Sequence, residues 1–111
     1  MNTKGEKINI KELVKSSREL VIEQLNHYLR CDQMRFFSWG SHAFRVDNMR
    51  TPKLYRFMVQ GRNHHGHVYI ILNGMDLFDV YLTSSRGTIK EIGTDLYADM
   101  LAEWIDARVE G

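Results

Sequence analysis

The chain has very little cysteine and proline, and it has no long apolar run. Its single cysteine, Cys31, cannot form a disulfide within the chain, so nothing in the sequence calls for an oxidising compartment. No apolar stretch approaches the roughly 20 residues that a transmembrane helix needs, and the polar N-terminus lacks the apolar segment of a secretory signal. We therefore expect a cytoplasmic protein that does not bind a membrane.

The net charge is also small, but the charged residues are unevenly distributed along the 111 residues. The whole chain carries +1, whereas residues 30–66 hold seven basic and two acidic side chains, a net charge of +5. Residues 67–111 hold three basic and eight acidic side chains, a net charge of −5. Such asymmetry is found in nucleic-acid-binding proteins, and it also arises where two parts of a fold neutralise each other.

The N-terminal part of the chain has the apolar spacing of a helix. We predict a flexible N-terminus at residues 1–8 and a single domain over residues 9–111. Asn9 is a candidate N-cap, and Glu12 stands at the third helical position, as in a capping box. Apolar residues then recur at spacings of three and four, which predicts an amphipathic helix over residues 9–30.

The rest of the chain alternates like a set of strands and ends in a second helical pattern. Period-two alternation predicts an antiparallel meander over residues 42–92, with Asn73-Gly74 as a hairpin turn. Thr94 is the candidate N-cap of a closing helix over residues 94–109. The predicted fold class is therefore α+β: an antiparallel four- to five-stranded sheet flanked by an N-terminal and a C-terminal helix.

One face of the predicted sheet is an apolar surface with no assigned cover. If the aromatic and aliphatic residues of the clearest strands face the helices, five further side chains lie on the other face. This interaction face consists of Met58, Tyr69, Ile71, Leu77 and Tyr81. Since a monomer seldom leaves such a surface open, we expect either the closing helix or another chain to cover it. The second case predicts a protein partner or a homodimer.

A nucleic-acid-binding surface is the alternative interpretation. Arg45 and Arg56 are predicted to point away from the aromatic core, and Trp39, with Phe36 and Phe37, could stack on unpaired bases. The predicted nucleic-acid contacts are Arg45, Arg56, Arg62, Lys53 and Trp39. The order of elements also resembles that of double-stranded-RNA-binding domains, but those carry basic residues at the last helix. Here that helix is acidic, which excludes the assignment.

Metal binding and catalysis have weaker support. The turn with His64, His65 and His67 could bind zinc, copper or nickel, yet no cysteine or carboxylate stands at a supporting spacing. His27 and Cys31 are four residues apart, but neither a general base nor an oxyanion donor can be named beside them. We expect no metal site, no cofactor and no catalytic site, so an enzyme is the third choice.

Three segments in the C-terminal part, LNGMDLFDVYL, GTIKEI and LYADMLAEWID, resemble a known group of sequences. They are similar to uncharacterised small bacterial proteins associated with phage and conjugative elements, most closely at Asn73–Asp76 and Leu96–Leu101. The resemblance implies a mobile-element accessory role and supplies no catalytic residues. We therefore predict a non-enzymatic binding or interaction protein that acts through protein contacts, with a nucleic-acid-binding accessory protein as the alternative.

Overall fold

The computed structural model describes residues 2–30 and 39–110 and contains a five-stranded antiparallel sheet with helices on both faces. The elements in chain order are α1 (Ile10–Ser16), α2 (Ile22–Arg30), β1 (His42–Val46), β2 (Tyr55–Gln60), β3 (His65–Leu72), β4 (Phe78–Thr83), β5 (Ile89–Leu96), a 3-10 turn (Ala98–Met100) and α3 (Leu101–Val109). The spatial order is β1-β2-β3-β4-β5, with every pair antiparallel. The predicted α+β class and its antiparallel meander are confirmed. None of the described helices has the length and apolar character needed to cross a membrane.

The helix predicted over residues 9–30 is divided into two helices by an extended segment. Asn9 caps α1 as expected, because its side chain accepts a hydrogen bond from the Glu12 N–H, but Ser17 is extended (φ −94°, ψ 159°). Two backbone hydrogen bonds then hold the segment against the sheet: Arg18 N–H to Leu72 C=O (2.7 Å) and Leu20 N–H to Pro52 C=O (2.6 Å). These long-range bonds replace the helical bonds that the local pattern predicts.

The first face of the sheet packs against α2 and α3 and forms the larger core. Leu25 and Leu29 of α2 and Ile105 of α3 are buried there. The sheet contributes the alternate residues of its central strands: Tyr55, Phe57, Val59, Val68, Ile70, Val80 and Leu82. Burial of one strand face against an amphipathic helix is what the period-two pattern predicts.

The second face of the sheet is covered by α1, and this corrects the expectation that the closing helix or another chain covers it. Leu13 of α1 packs in a second core with Tyr69, Ile71 and Tyr81, which are at most 9% exposed. Three of the five members of the predicted interaction face are therefore core residues. The other two, Met58 and Leu77, are half-buried and lie outside this cluster.

The closing helix begins later than predicted, because β5 extends through the candidate cap. Thr94 lies in β5, which ends with Leu96 paired to Phe78 of β4. Leu96 is 7% exposed and belongs to the first core, and its burial explains why the strand continues. The 3-10 turn and α3 follow, so a helix over residues 94–109 is replaced by one that begins at Leu101.

Within the segment predicted to be flexible, residues 1–8, residues 5–8 contact the sheet. Three backbone hydrogen bonds pair it with the turn before β5 and with the first residue of β5: Gly5 N–H to Ile89 C=O, Ile89 N–H to Glu6 C=O, and Ile8 N–H to Gly87 C=O, each 2.8 Å. The pairing covers backbone groups at one end of an edge strand that would otherwise be open to another chain.

Replacing Leu13 with alanine is expected to lower the free energy of unfolding by about 2–5 kcal/mol, since a buried leucine side chain is removed. Lys11→Ala, an exposed position of the same helix, is the control and is expected to stay within about 0.5 kcal/mol of the parent. Urea unfolding measures both variants. Equal, small effects would contradict the cover of the second face by α1.

Replacing Gly93 with alanine is expected to destabilise the fold by about 1–3 kcal/mol, because α3 packs its Trp104 ring directly over this glycine. An added Cβ would lie 2.5 Å from Cζ2 and 2.6 Å from Cε2 of the indole, and a ring cannot yield as a flexible chain can. Gly74→Ala is the matched control, since no atom lies within 4 Å of the Cβ it would add. Thermal unfolding compares the two variants. Equal midpoint temperatures would contradict the packing of Trp104 over Gly93.

Candidate binding site at the edge of the sheet

Arg45 of β1 and Arg56 of β2 lie directly opposite each other in the antiparallel register. Side chains opposite each other share a sheet face, with their Cβ atoms about 5 Å apart. The same register row continues through Tyr69 and Tyr81, so the two arginines are on the second face. Arg45 is exposed and Arg56 is half-buried, whereas the tyrosines are covered. The sequence predicted that both arginines point away from the aromatic core, and the register agrees.

No described residue forms an ion pair or a hydrogen bond with either guanidinium group. Like charges directly opposite each other in a sheet destabilise it. The arginine pair therefore destabilises the fold, and no acidic partner among the described residues offsets this. The carboxylate of Asp47 lies in the same shallow pocket. Its Oδ1 accepts the backbone N–H groups of Lys53 (2.7 Å) and Leu54 (2.9 Å). Asp47 therefore reduces the positive potential of the pocket without pairing with an arginine.

The β1–β2 loop brings two more cations to this end of the sheet. Asp47 fixes the Lys53 end of the loop, and Asn48 accepts the Arg50 N–H at 2.9 Å and the Thr51 N–H at 3.3 Å. Arg50 is exposed, and Lys53 is half-buried. The loop is thus held by side-chain-to-backbone hydrogen bonds, which orient its basic residues relative to the arginine pair.

A cleft of about 590 Å³ opens on the other side of β1, between α2 and the first two strands. This edge cleft is lined by Ile22, Asn26, Arg30, Phe44, Arg45, Val46, Met49, Pro52 and Tyr55. The Tyr55 hydroxyl donates to Asn26 Oδ1 at 3.0 Å, and the Arg30 guanidinium lies 5.7 Å from the centre of the Phe44 ring. Apolar walls with a few polar groups are typical of ligand-binding clefts.

Tyr55 is a neutral hydrogen-bonding group in this cleft. Burial raises the pKa of Tyr55 to about 12, and the positive charge of Arg30 opposes the rise only in part. The phenol therefore keeps its proton at neutral pH and remains the donor to Asn26. The arrangement suits binding and orientation rather than proton abstraction.

Arg45 connects the edge cleft with the arginine pair. It lines the cleft on the first face and also the shallow pocket on the second face that contains Arg56. An edge strand allows this, because its backbone borders the rim of both faces of the sheet. A ligand group bound by Arg45 would therefore lie at the mouth of the edge cleft.

Two of the predicted nucleic-acid contacts are not at this site. Trp39 is fully buried, stacks on Phe57 (ring centroids 6.4 Å apart, 8° between planes) and donates from Nε1 to Asp106 Oδ1 at 3.0 Å. It is a core residue, which corrects its predicted role as a stacking surface. Arg62 follows the far end of β2, whose last residue, Gln60, is about 13 Å along the strand from Arg56. Cys31, Phe36 and Phe37 lie outside the described residues.

The sequence interpretation missed the cleft residues Asn26, Arg30, Phe44 and Tyr55. Asn26 had a local signal, since it stands four residues after Ile22 and three before Leu29, on the apolar side of α2. A polar residue on that side needs a partner within the fold. The partner, Tyr55, is 29 residues away, and only the packing of α2 on the sheet identifies it.

The histidines of the β2–β3 turn occupy three different environments. His64 is 7% exposed, and its Nε2 is buried without a hydrogen-bond partner among the described residues; the same holds for Nδ1 of the half-buried His67. His65 is exposed. The part of the chain that the structure describes contains no group of three or more histidine, cysteine, aspartate or glutamate residues placed to hold a metal ion.

Burial perturbs two of these histidines. It is the largest cause of the lowered pKa of His64, and the positive charges of Lys90 and His65 act in the same direction, against a backbone hydrogen bond with His67. The pKa of His67 is lowered first by burial and then by the positive charge of Arg56. The field of Arg56 is therefore felt on the neighbouring strand, as expected for a cation without an acidic partner among the described residues.

Acidification below about pH 6.5 is expected to destabilise the fold through His64. Because the folded-state pKa lies below the ordinary value of 6.5, the unfolded chain binds more protons as the pH falls, so the stability present above this pH is progressively lost. Urea unfolding at about pH 7.5 and about pH 5.5 measures the loss, which His64→Gln should reduce. His27→Gln, an exposed imidazole on α2 that is not among the groups acting on His64, is the control. If the acid-dependent loss of stability is as large in His64→Gln as in the parent, His64 is not its cause.

Comparison with known proteins assigns no family to this geometry. No protein-family model matches the chain, and no curated protein or solved structure matches it significantly. The interpretation of the edge site therefore depends on the chemistry of its own residues.

Proposed function

We propose that the protein is a non-enzymatic accessory protein that binds nucleic acid through the Arg45–Arg56 pair. The observation that carries the proposal is the direct cross-strand register of an exposed and a half-buried arginine that have no acidic partner among the described residues. An anion between them would replace their repulsion by attraction. The binding free energy would therefore include the relief of a cost already present in the unbound fold.

A phosphate group fits such a pair better than a small monovalent ion does. Each guanidinium presents several N–H donors in a planar fork, which matches the oxygens of a phosphate in a bidentate manner. Arg50 and Lys53 on the adjoining loop add positive charge on one side of the pair. A polyanion such as a nucleic-acid backbone can contact the pair and the loop together, which favours it over a single phosphate.

Protein binding is the second candidate function, and the edge cleft supports it. Met49 at its rim is 87% exposed, and Val21, next to Ile22, is 58% exposed. Exposed apolar side chains beside a cleft are common in protein–protein contacts. Such contacts would use this surface instead of the predicted interaction face, because most of that face is core. The mobile-element association, the homodimer and the cytoplasmic location remain predictions from the sequence.

Neutralising the arginine pair is expected to weaken nucleic-acid binding about tenfold or more and to reduce its salt dependence. The slope of log affinity against log salt should become shallower by about 0.7 for each phosphate of a single strand that the variant no longer binds. The measurement is fluorescence anisotropy of a labelled oligonucleotide, at several salt concentrations, with the parent and the double variant Arg45→Gln/Arg56→Gln.

The matched control is Arg62→Gln/Arg86→Gln, which makes the same change in net charge at two exposed positions away from the pair. It should leave the affinity within a factor of about two, because binding depends on the local pair more than on the total charge. Equal losses in both double variants would mean that binding follows net charge alone. Failure of the parent to bind any oligonucleotide at low salt would refute the proposal and favour a protein partner.

A further inference from the structure

We propose that the edge cleft receives an unpaired base of a strand whose phosphate is bound by Arg45 and Arg56, so that the ligand is single-stranded nucleic acid. The inference rests on the proposed function and names the ligand class of the same site. It combines three features of the described residues: the shared side chain of Arg45, the shape of the cleft and the polar groups within it.

The first feature is the position of Arg45 between the two surfaces. Arg45 lines the edge cleft with Asn26 and Tyr55, and it also lines the pocket that contains Arg56. A phosphate bound by Arg45 would lie beside the rim of the cleft, from which the attached sugar and base could enter it. The phosphate contact and the base contact belong to one nucleotide or to two successive nucleotides.

The second feature is the size and the lining of the cleft. A volume of about 590 Å³ lies within the range of small-molecule sites and exceeds what a single base needs. Phe44 and Tyr55 line the cleft and stack on each other, with their centroids 6.0 Å apart and 20° between their planes, and the Arg30 guanidinium lies over the Phe44 ring. A lining of apolar and aromatic side chains suits a nucleobase, which contacts proteins in a largely sequence-independent way.

The third feature is the pair of polar groups between α2 and β2. Asn26 Oδ1 accepts the Tyr55 hydroxyl, which fixes the amide so that its Nδ2 donors point elsewhere, and no described residue accepts from them. The Tyr55 oxygen retains acceptor capacity. One donor and one acceptor can hydrogen-bond with the Watson–Crick or Hoogsteen edge of an unpaired base.

A duplex fits this arrangement poorly. Its bases are paired and stacked, and a protein reaches them only through the grooves or by flipping a nucleotide out at a cost in free energy. A concave cleft behind an edge strand can take an already unpaired base without that cost. The same groups do not distinguish RNA from DNA, and both single strands are expected to bind.

The experiment compares four probes with the full chain by fluorescence anisotropy at low salt. They are single strands of about eight thymidines or uridines, a duplex of the same length, and an abasic strand that has the same phosphates without bases. We expect each single strand to bind about tenfold more tightly than the duplex and the abasic strand. Asn26→Leu and Tyr55→Phe should weaken binding of the single strands and leave binding of the abasic strand unchanged.

One control and one alternative variant make the result decisive. Asn63→Leu changes an exposed asparagine in the β2–β3 turn and should leave all affinities unchanged, and Tyr55→Phe keeps the ring if Asn26→Leu disturbs the packing of α2. Equal affinity for the abasic strand and the single strands, or a preference for the duplex, would overturn the base site while the arginine pair kept its role. If the parent protein binds none of the four nucleic-acid probes but binds an acidic peptide, both proposals are overturned.

Discussion

The backbone hydrogen bond from the Arg18 N–H to the Leu72 carbonyl is the contact on which both sheet faces depend. It holds the chain extended between α1 and α2, so α1 stays on the second face while α2 crosses to the first. A continuous helix has one apolar stripe and would have left one face bare. Because α1 has only seven residues, about 10 Å, it covers Tyr69 and Tyr81 but leaves the arginine end of their register row accessible.

The sheet could be predicted from the sequence, whereas the helix boundaries could not. Strand patterning is largely a local property, and it predicted an antiparallel meander of four to five strands, of which the structure contains five. The break after α1 depends on Leu72, and the late start of α3 depends on the pairing of Leu96 with Phe78. Each is a contact between residues far apart in the chain that overrides a correct local propensity, including the capping signal at Thr94.

The candidate site shows the same division between local and long-range information. Alternation placed Arg45 and Arg56 on one face, but only the register shows that they are opposite each other. Trp39 had the local context of a stacking residue, beside basic residues and other aromatics. Its burial is determined by Phe57 and by Asp106, 67 residues away. An aromatic side chain near cations is therefore ambiguous until its packing partners are known.

The fold also explains how the arginine pair persists in a chain that is nearly neutral. The acidic residues of the C-terminal part are spread over β4, β5, the adjoining turns and α3, whereas Arg45 and Arg56 lie on β1 and β2 at the opposite edge of the sheet. Part of the acidic charge is used locally, by Asp106 with the Trp39 indole and by Asp76 with Arg18. The strand order thus keeps β4 and β5, with their carboxylates, away from the arginine pair. An anion bound by the two arginines would stabilise the folded state.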